Sequence, residues 1–340
     1  MSIIKQEKWS AFSALINKSQ SVLLITHVNA DGDGLGSQIA FYHYLNSLGK
    51  DCRIINPTPL PHNYKIIDSE RIVEVYDDAF NIWISKIDLA IVFDIGDYRR
   101  VGKIGELVYK KITSVSIDHH PVRKNHPFAL NLVDSDAPAT GYLIWKYFQE
   151  IGYASNDMPV PIAQALYASI VTDTGSFKYQ STTPDTHIMA AQLLNCGIKG
   201  YEIQKQIYEQ REISQINLLG IIISKLKFSV TGKISWSIVT QEMIAQSDGK
   251  DDDVEGMTDF IRSIKNVEIS FMILEKNDGT HRINFRSSGK YSVNDVAGDF
   301  NGGGHMFAAG ASIRNSTNIL IEKMIIEKLS KKIKGEFDVN

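Results

Sequence analysis

Val22-Leu23-Leu24-Ile25-Thr26-His27-Val28-Asn29-Ala30-Asp31-Gly32-Asp33-Gly34 is the stretch around which the rest of the chain is organised. Four apolar residues bounded by turn residues read as a buried strand, and Leu35, Ile39, Tyr42 and Leu45 recur at helical spacing after it until Gly49 stops the pattern. His27, Asp31 and Asp33 therefore sit on a turn at the carboxyl end of a strand, the place where open α/β sheets bind ligands. One imidazole and two carboxylates there, with glycines letting the backbone fold tightly around them, suit a hard divalent cation.

The same setting recurs. Leu89 to Phe93 is an apolar run ending at Asp94, and Val115 to Ile117 is another, ending at Asp118-His119-His120-Pro121. Cys52 to Ile55 reads as a further strand, ended by Pro57, Pro59 and Pro61. Helical patterns alternate with these runs at Lys103 to Lys111 and Gly141 to Glu150, and a short amphipathic helix is expected over Lys8 to Lys18. Ile162, Leu166 and Ile170 mark a helix running into Asp173. This rhythm predicts an α/β fold, a mainly parallel sheet with helices on both faces.

A parallel sheet gathers its strand ends at one edge, which brings together His27, Asp31, Asp33, Asp94, His119 and Asp173 as candidate ligands. Taken alone, each piece has a plainer reading as a turn, a core histidine or a strand-end cap. Four such features in one structural setting do not. Four crowded carboxylates repel, and two divalent ions with one bridging carboxylate resolve the repulsion. Oxygen and imidazole ligation without thiolate favours Mn2+, with Mg2+, Co2+ or Zn2+ as alternatives. The chemistry expected of such a pair is phosphoester hydrolysis by attack of a metal-bound hydroxide.

From Pro184 to Ile223 the pattern is almost continuously helical. After Lys225 it changes to strands at Lys225–Val230, Ile234–Thr240, Val267–Glu275 and His281–Arg286, with Asn277-Asp278-Gly279 as a hairpin turn and helices near Val254–Ile264 and Asn318–Lys332. That half of the chain predicts a smaller mixed-sheet α/β domain. Gly302-Gly303-Gly304-His305 follows, where glycines let backbone N–H groups converge on an anion, and Arg286 and His305 add charged donors. Asp251-Asp252-Asp253 reads as a solvated helix N-terminus, and Lys328, Lys331, Lys332 and Lys334 as a solvated helix face.

Bulk properties limit the alternatives. A chain of 340 residues with 43% hydrophobic and 22% charged residues supports two ordinary globular domains. A net charge of −3 gives no overall basic field, so long nucleic acid is not an expected partner. Two cysteines, Cys52 and Cys196, form no disulfide framework, and no apolar run spans a membrane, so a cytoplasmic protein without a membrane partner is expected.

In order along the chain, His27-Val28-Asn29-Ala30-Asp31-Gly32-Asp33 with Gly36-Ser37, Asp94, Asp118-His119-His120-Pro121 and Thr172-Asp173-Thr174-Gly175 resemble the four motifs of the DHH phosphoesterase superfamily. Phe285-Arg286-Ser287-Ser288, Asn294-Asp295-Val296-Ala297, Gly302-Gly303-Gly304-His305 and Ala308-Ala309-Gly310 resemble the DHH-associated C-terminal domain. Within the superfamily the chain is most similar to the bacterial nanoRNases. The resemblance implies a DHH catalytic domain over residues 1–185, a helical linker over 186–223 and a substrate-binding domain over 224–340. It implies hydrolysis of short oligoribonucleotides to mononucleotides, and of 3′-phosphoadenosine 5′-phosphate (pAp) to AMP, in an interdomain cleft.

Position by position, His27, Asp31 and Asp94 would hold one manganese ion, and Asp33, Asp94, His119 and Asp173 the other. His120 would face the scissile phosphate and Asp118 would orient the histidines. Arg100, Arg286, Ser287, Gly303, Gly304 and His305 would bind substrate. Asp97 departs from the asparagine usual in the family at that position. Dimers are frequent among the relatives, which implies a homodimer. Phosphodiesterase action on cyclic or linear di-AMP, with such dinucleotides as the bound partners, is the alternative within the class. A non-catalytic nucleotide sensor is the alternative outside it.

Overall fold

The computed structural model describes residues 4–109, 111–121, 126–153 and 157–333. The chain divides into two compact units, Met1–Gln210 and Arg211–Asn340.

In the first unit, strands β1 (Ser21–Ile25), β2 (Asp51–Asn56), β3 (Val73–Val75), β4 (Leu89–Phe93), β5 (Thr113–Asp118) and β6 (Leu130–Val133) form one sheet in the order β3-β2-β1-β4-β5-β6, every pair parallel. Its helices are α1 (Gln6–Lys18), α2 (Gly32–Ser47), α3 (Asn81–Ile84), α4 (Lys103–Val108), α5 (Thr140–Glu150), α6 (Val160–Asp173), α7 (Pro184–Asn195) and α8 (Gly200–Tyr208). Both sheet faces are covered. Val22 and Leu24 of β1 face one core with Phe41 of α2 and Phe148 of α5, while Leu23 and Ile25 face another with Ile104 and Val108 of α4. That two-sided burial is why the strands read as unbroken apolar runs.

The strand order reverses between β1 and β4, so the crevice beyond their carboxyl ends is the topological switch point of the sheet. His27 and Asp94 follow those two ends, and Asp118 closes the next strand, β5. The sequence reading had found β1, β2, β4 and β5. It lacked β3 and β6, which are three and four residues long and carry Glu74 and Asn131 within them.

The second unit holds β7 (Lys227–Phe228), β8 (Ile234–Val239), β9 (Ile269–Glu275), β10 (His281–Ser287), β11 (Gly303–His305) and β12 (Ala308–Ile313) in the order β11-β12-β10-β9-β8-β7. The β8–β9 pair is parallel and the others are antiparallel, which makes a mixed sheet. Its helices are α9 (Ile213–Ser224), α10 (Gln241–Gln246), α11 (Met257–Arg262), α12 (Asn294–Gly298) and α13 (Asn318–Lys332). The stretch 186–223 is helical, with α7 and α8 in the first unit and α9 in the second.

One expectation changes here. Asp253 is buried rather than solvated: it accepts from Ser214 Oγ at 3.1 Å and from the Lys250 backbone N–H at 3.0 Å, so it ties the turn to α9. Gly303 and Gly304 lie in strand β11. They pair with Gly310 and Ala309, and a Cβ on Gly304 would lie 2.6 Å from the Ala308 carbonyl oxygen. Lys334 lies outside the described residues.

Candidate metal centre

The centre starts with the turn after β1. Thr26 anchors it by donating its backbone N–H to Asn56 Oδ1 at 3.1 Å and its hydroxyl to the Phe93 carbonyl at 3.0 Å, which locks together the ends of β1, β2 and β4. Asp31 then caps α2, its Oδ1 accepting from the backbone N–H groups of Asp33 and Gly34 at 3.0 and 3.2 Å. Its other oxygen turns toward His27 Nε2 at 3.7 Å, and the side chain is 52% exposed, the open side of the cluster.

Asp94 sits directly after β4 with φ of 51°, a left-handed conformation uncommon for a residue with a side chain. Such an outlier persists only where its surroundings dictate it. Here it aims the two carboxylate oxygens in different directions: Oδ2 lies 3.6 Å from His27 Nε2 and Oδ1 lies 3.5 Å from His119 Nε2. His119 Nε2 also lies 3.7 Å from Asp33 Oδ2 and 3.2 Å from Asp173 Oδ2. Two groups of converging donors result, His27-Asp31-Asp94 and Asp33-Asp94-His119, with Asp94 common to both and Asp173 joined through His119.

The imidazoles are presented alike. His27 Nδ1 lies 2.8 Å from the Val28 carbonyl and His119 Nδ1 lies 3.1 Å from the Ala137 carbonyl, so an Nδ1–H donated to each carbonyl leaves the Nε2 lone pairs facing the carboxylates. A backbone carbonyl on the far nitrogen is how metal-bound histidines are oriented. Ligand atoms around one ion at the usual bond length of about 2.1 Å lie roughly 3–3.5 Å apart, close to the spacings seen here. The donor set fits two hard divalent cations.

Asp33 is fully buried and held by three donors from two helices. Its oxygens accept from the backbone N–H groups of Thr140 at 2.7 Å and Gly141 at 3.0 Å, the first turn of α5, and from the Ser169 hydroxyl of α6. The approach depends on small residues. A Cβ on Gly141 would meet Ser169 Cβ at 2.7 Å, and one on Gly36 would run into the Ala165 carbonyl oxygen. Thr140, Gly141 and Ser169 are not among the candidates that the sequence pattern picks out. Thr140 opens a helix, a visible sign of an N-terminus, but nothing local names the carboxylate it serves.

Burial, and then the neighbouring Asp94 charge, push the Asp33 carboxyl up to about 7. Asp173 is raised well above the carboxylate range, burial again being the main cause. Burial by itself would lower His27, but hydrogen bonding to Asp31 and Asp94 outweighs it and raises the imidazole to about 10. His120 is likewise lifted to about 9, where burial is overcome by Asp118 and Asp94.

Asp118 is saturated. Oδ1 accepts from His120 N–H at 2.9 Å and Nδ1 at 2.8 Å, and Oδ2 from the backbone of Ile95 at 3.2 Å and Gly96 at 2.7 Å. It fixes the His120 ring so that Nε2 points away from it. Arg100 lies with Nη2 2.8 Å from His27 Nδ1 and Nη1 3.3 Å from the Ile95 carbonyl. Asp97 caps the turn before Arg100 and pairs with Arg99 at 2.6 Å.

In the second unit, cross-strand register sets His305, Ala308 and Arg286 in one row across β11, β12 and β10. Paired residues share a face, so Arg286 and His305 stand on the same side of the sheet two strands apart. Arg286 Nε donates to Asp259 of α11 at 2.9 Å, and Ser287 is buried with its hydroxyl accepting from Gly289 N–H at 3.2 Å.

A doubly covered parallel sheet with a carboxylate–imidazole cluster at its switch point, followed by a mixed-sheet unit, defines a hydrolase of the DHH type. Residues 21–170 match the DHH family N-terminal domain and residues 231–335 match the DHHA1 domain; the chain belongs to the DHH family. It is 28% identical over 294 residues to the bifunctional oligoribonuclease and PAP phosphatase NrnA of Thermus thermophilus, covering 86% of this chain and 84% of that one. The protein of the same name from Bacillus subtilis is 26% identical over 303 residues, covering 88% and 91%. Among solved structures, an exopolyphosphatase-related protein from Bacteroides fragilis superposes with a TM-score of 0.90 at 26% identity, covering 97% of this chain and 98% of that one. RecJ of Thermus thermophilus in complex with Mn2+ shares the fold at a TM-score of 0.54 and 14% identity, over 96% of this chain and 54% of RecJ. Among the described residues no helix is long and apolar enough to cross a membrane.

Proposed function

We propose that this protein is a manganese-dependent phosphoesterase that hydrolyses short oligoribonucleotides to mononucleotides and pAp to AMP in the cytoplasm. The observation that carries the reading is the Asp94 carboxylate, whose two oxygens face two separate His-Asp groups. His27, Asp31 and Asp94 would hold one ion, and Asp33, Asp94, His119 and Asp173 the other. Ions so held supply Lewis acidity, which polarises phosphoryl oxygens and acidifies water.

The remaining steps belong to the chain's own residues. Asp118 holds His120 by Nδ1, so His120 Nε2 carries the proton offered to the scissile phosphate or to the leaving oxygen. Arg100, beside His27, offers its guanidinium to the substrate phosphate. Arg286, Ser287, Gly303, Gly304 and His305 receive the terminal phosphate of the substrate, a reading supported by the shared row of Arg286 and His305. Names given to relatives similar along most of the chain support RNA oligomers and pAp as the substrates.

The test is hydrolysis, with added Mn2+, of a panel of di-, tri- and five-nucleotide RNAs, pAp, linear and cyclic di-AMP, and pyrophosphate, with Asp94→Ala as control. Turnover led by the short RNAs and pAp, and lost in the variant, is expected. Preference for the di-AMP species would move the protein to dinucleotide turnover. No turnover despite bound Mn2+ would overturn the enzymatic reading.

A further inference from the structure

Arg286, whose guanidinium is proposed above for the substrate phosphate, does not swing free. Its Nε donates to Asp259 Oδ2 at 2.9 Å and its Nη1 to the Phe285 carbonyl at 3.0 Å. Among the described residues no other acceptor is bonded to it, so N–H groups on both terminal nitrogens stay uncommitted. That edge of a guanidinium is the one that grips a phosphate through two parallel bonds.

The carboxylate is placed as firmly as the arginine. Asp259 belongs to α11, whose Met257 and Ile261 are buried in one cluster with Met272 and Leu274 of β9. Ser270 of β9 donates its hydroxyl to the Thr258 carbonyl at 2.9 Å, a buried bond that pins the first turn of α11 to the sheet. Ser270 is also the residue opposite Arg286 in the β9–β10 register. One point of the sheet thereby fixes both the helix position and the strand position that meet in the ion pair. The second oxygen, Asp259 Oδ1, faces Arg262 Nε at 3.8 Å, so the carboxylate stands between two arginines and the group keeps a net positive charge.

The pair does little for folding. Both side chains are 30% exposed, and ion pairs in contact with water add little stability. Its effect is on orientation. An arginine side chain has several rotatable bonds, and that freedom is lost when it grips an anion. Asp259 removes the freedom before a substrate arrives.

We infer that Asp259 is a positioning residue for the substrate: it holds the Arg286 fork ready for the phosphate that does not react, which in pAp is the 5′-phosphate retained in AMP. The inference rests on the phosphoesterase reading above and extends it to a residue that touches only the arginine. A grip on a non-reacting phosphate is felt equally in the ground state and the transition state. Its loss therefore enters KM and leaves kcat.

The experiment follows KM and kcat for pAp separately in the full-length, Mn2+-loaded protein. Asp259→Ala should raise KM about tenfold, through the rotamer freedom restored to Arg286, with kcat within about twofold of wild type. Removing the carboxylate also leaves Arg286 more positive, but for a pair screened by water this offsets only a small part of the loss. Asp259→Asn keeps an oxygen for Nε and should stay within about threefold of the wild-type KM. In an Arg286→Ala background Asp259→Ala should add nothing, since both changes remove the same contact. An unchanged KM in Asp259→Ala, an equal loss in Asp259→Asn, or a loss that persists without Arg286 each overturns the assignment. Circular dichroism checks folding, and Asp259→Leu, similar in shape and without an acceptor, carries the same prediction if the alanine variant unfolds. A wild type that does not turn over pAp removes the phosphoesterase reading and this inference with it, a result distinct from normal turnover that Asp259→Ala leaves unaltered.

Discussion

Thr140 reaches Asp33 through its backbone, N–H to Oδ2 at 2.7 Å, and with the same residue's hydroxyl it reaches Asp94 Oδ1 at 3.2 Å. One residue at the start of α5 thereby fixes the spacing of two carboxylates that belong to α2 and to the end of β4. Partners of ligating carboxylates tune metal affinity by about 10–100-fold. Thr140→Val keeps the backbone bond and the shape and removes the hydroxyl, so Mn2+ affinity should fall about tenfold, by that rule, with secondary structure unchanged. Titration followed by electron paramagnetic resonance checks it; an unchanged affinity would show that the Thr140 hydroxyl has no part in holding Asp94.

Gly36 lets α2 meet α6 closely enough for Ser169 to reach Asp33. An alanine there gains helix propensity of about 1 kcal/mol. It also drives a methyl into the Ala165 carbonyl, backbone that cannot rotate aside. Overpacking of this kind costs about 1–3 kcal/mol, more when the obstacle is main chain. With roughly 1–2 kcal/mol left after the propensity gain, Gly36→Ala should lower the melting temperature of the first unit by about 2–8 °C, on the usual scaling for 150–250 residues. A melting temperature equal to or above wild type would contradict the close helix crossing.

Metal binding should be proton-linked. The metal-free centre holds protons on His27, raised to about 10, and on Asp33, raised to about 7. A cation needs the imidazole neutral and the carboxylate ionised, so those protons leave as it binds. The sign is fixed: Mn2+ affinity rises as pH increases from 6 to 9, and calorimetry in buffers of different ionisation enthalpy shows net proton release. Chelation at pH 8 should in turn take protons up. A pH-independent affinity would mean that these groups are not where the ion binds.

Asp118→Asn tests the orienting role. Asparagine can accept from His120 Nδ1, but its NH2 then opposes the N–H groups of Ile95 and Gly96, so the ring loses its fixed direction. Positioned acid–base groups contribute about 10²–10⁴-fold, and kcat on pAp should drop about 100-fold. Mn2+ content, measured in parallel, should stay at the wild-type level. If kcat and metal content fall together, Asp118 serves the metal site rather than His120.

The sequence by itself determined the strands that bear the centre. β1, β4 and β5 are buried on both faces, so each carries an apolar stretch (Val22–Ile25, Leu89–Phe93, Val115 and Ile117) that gives way at His27, Asp94 and Asp118, where polarity marks the sheet edge. Burial is a local demand and leaves a local mark. The short edge strands β3 and β6 mix polar and apolar residues and left none.

Tertiary structure alone decided the rest. The bonds from Thr140 and Ser169 to Asp33 join residues 107 and 136 positions apart, and no pattern near either end announces them. Gly303 and Gly304 have the composition of a loop yet form a strand paired with Gly310 and Ala309, and a Cβ at Gly304 would meet the Ala308 carbonyl. Pairings of this kind are settled by which surfaces meet when the chain closes on itself, and that information resides in no single segment.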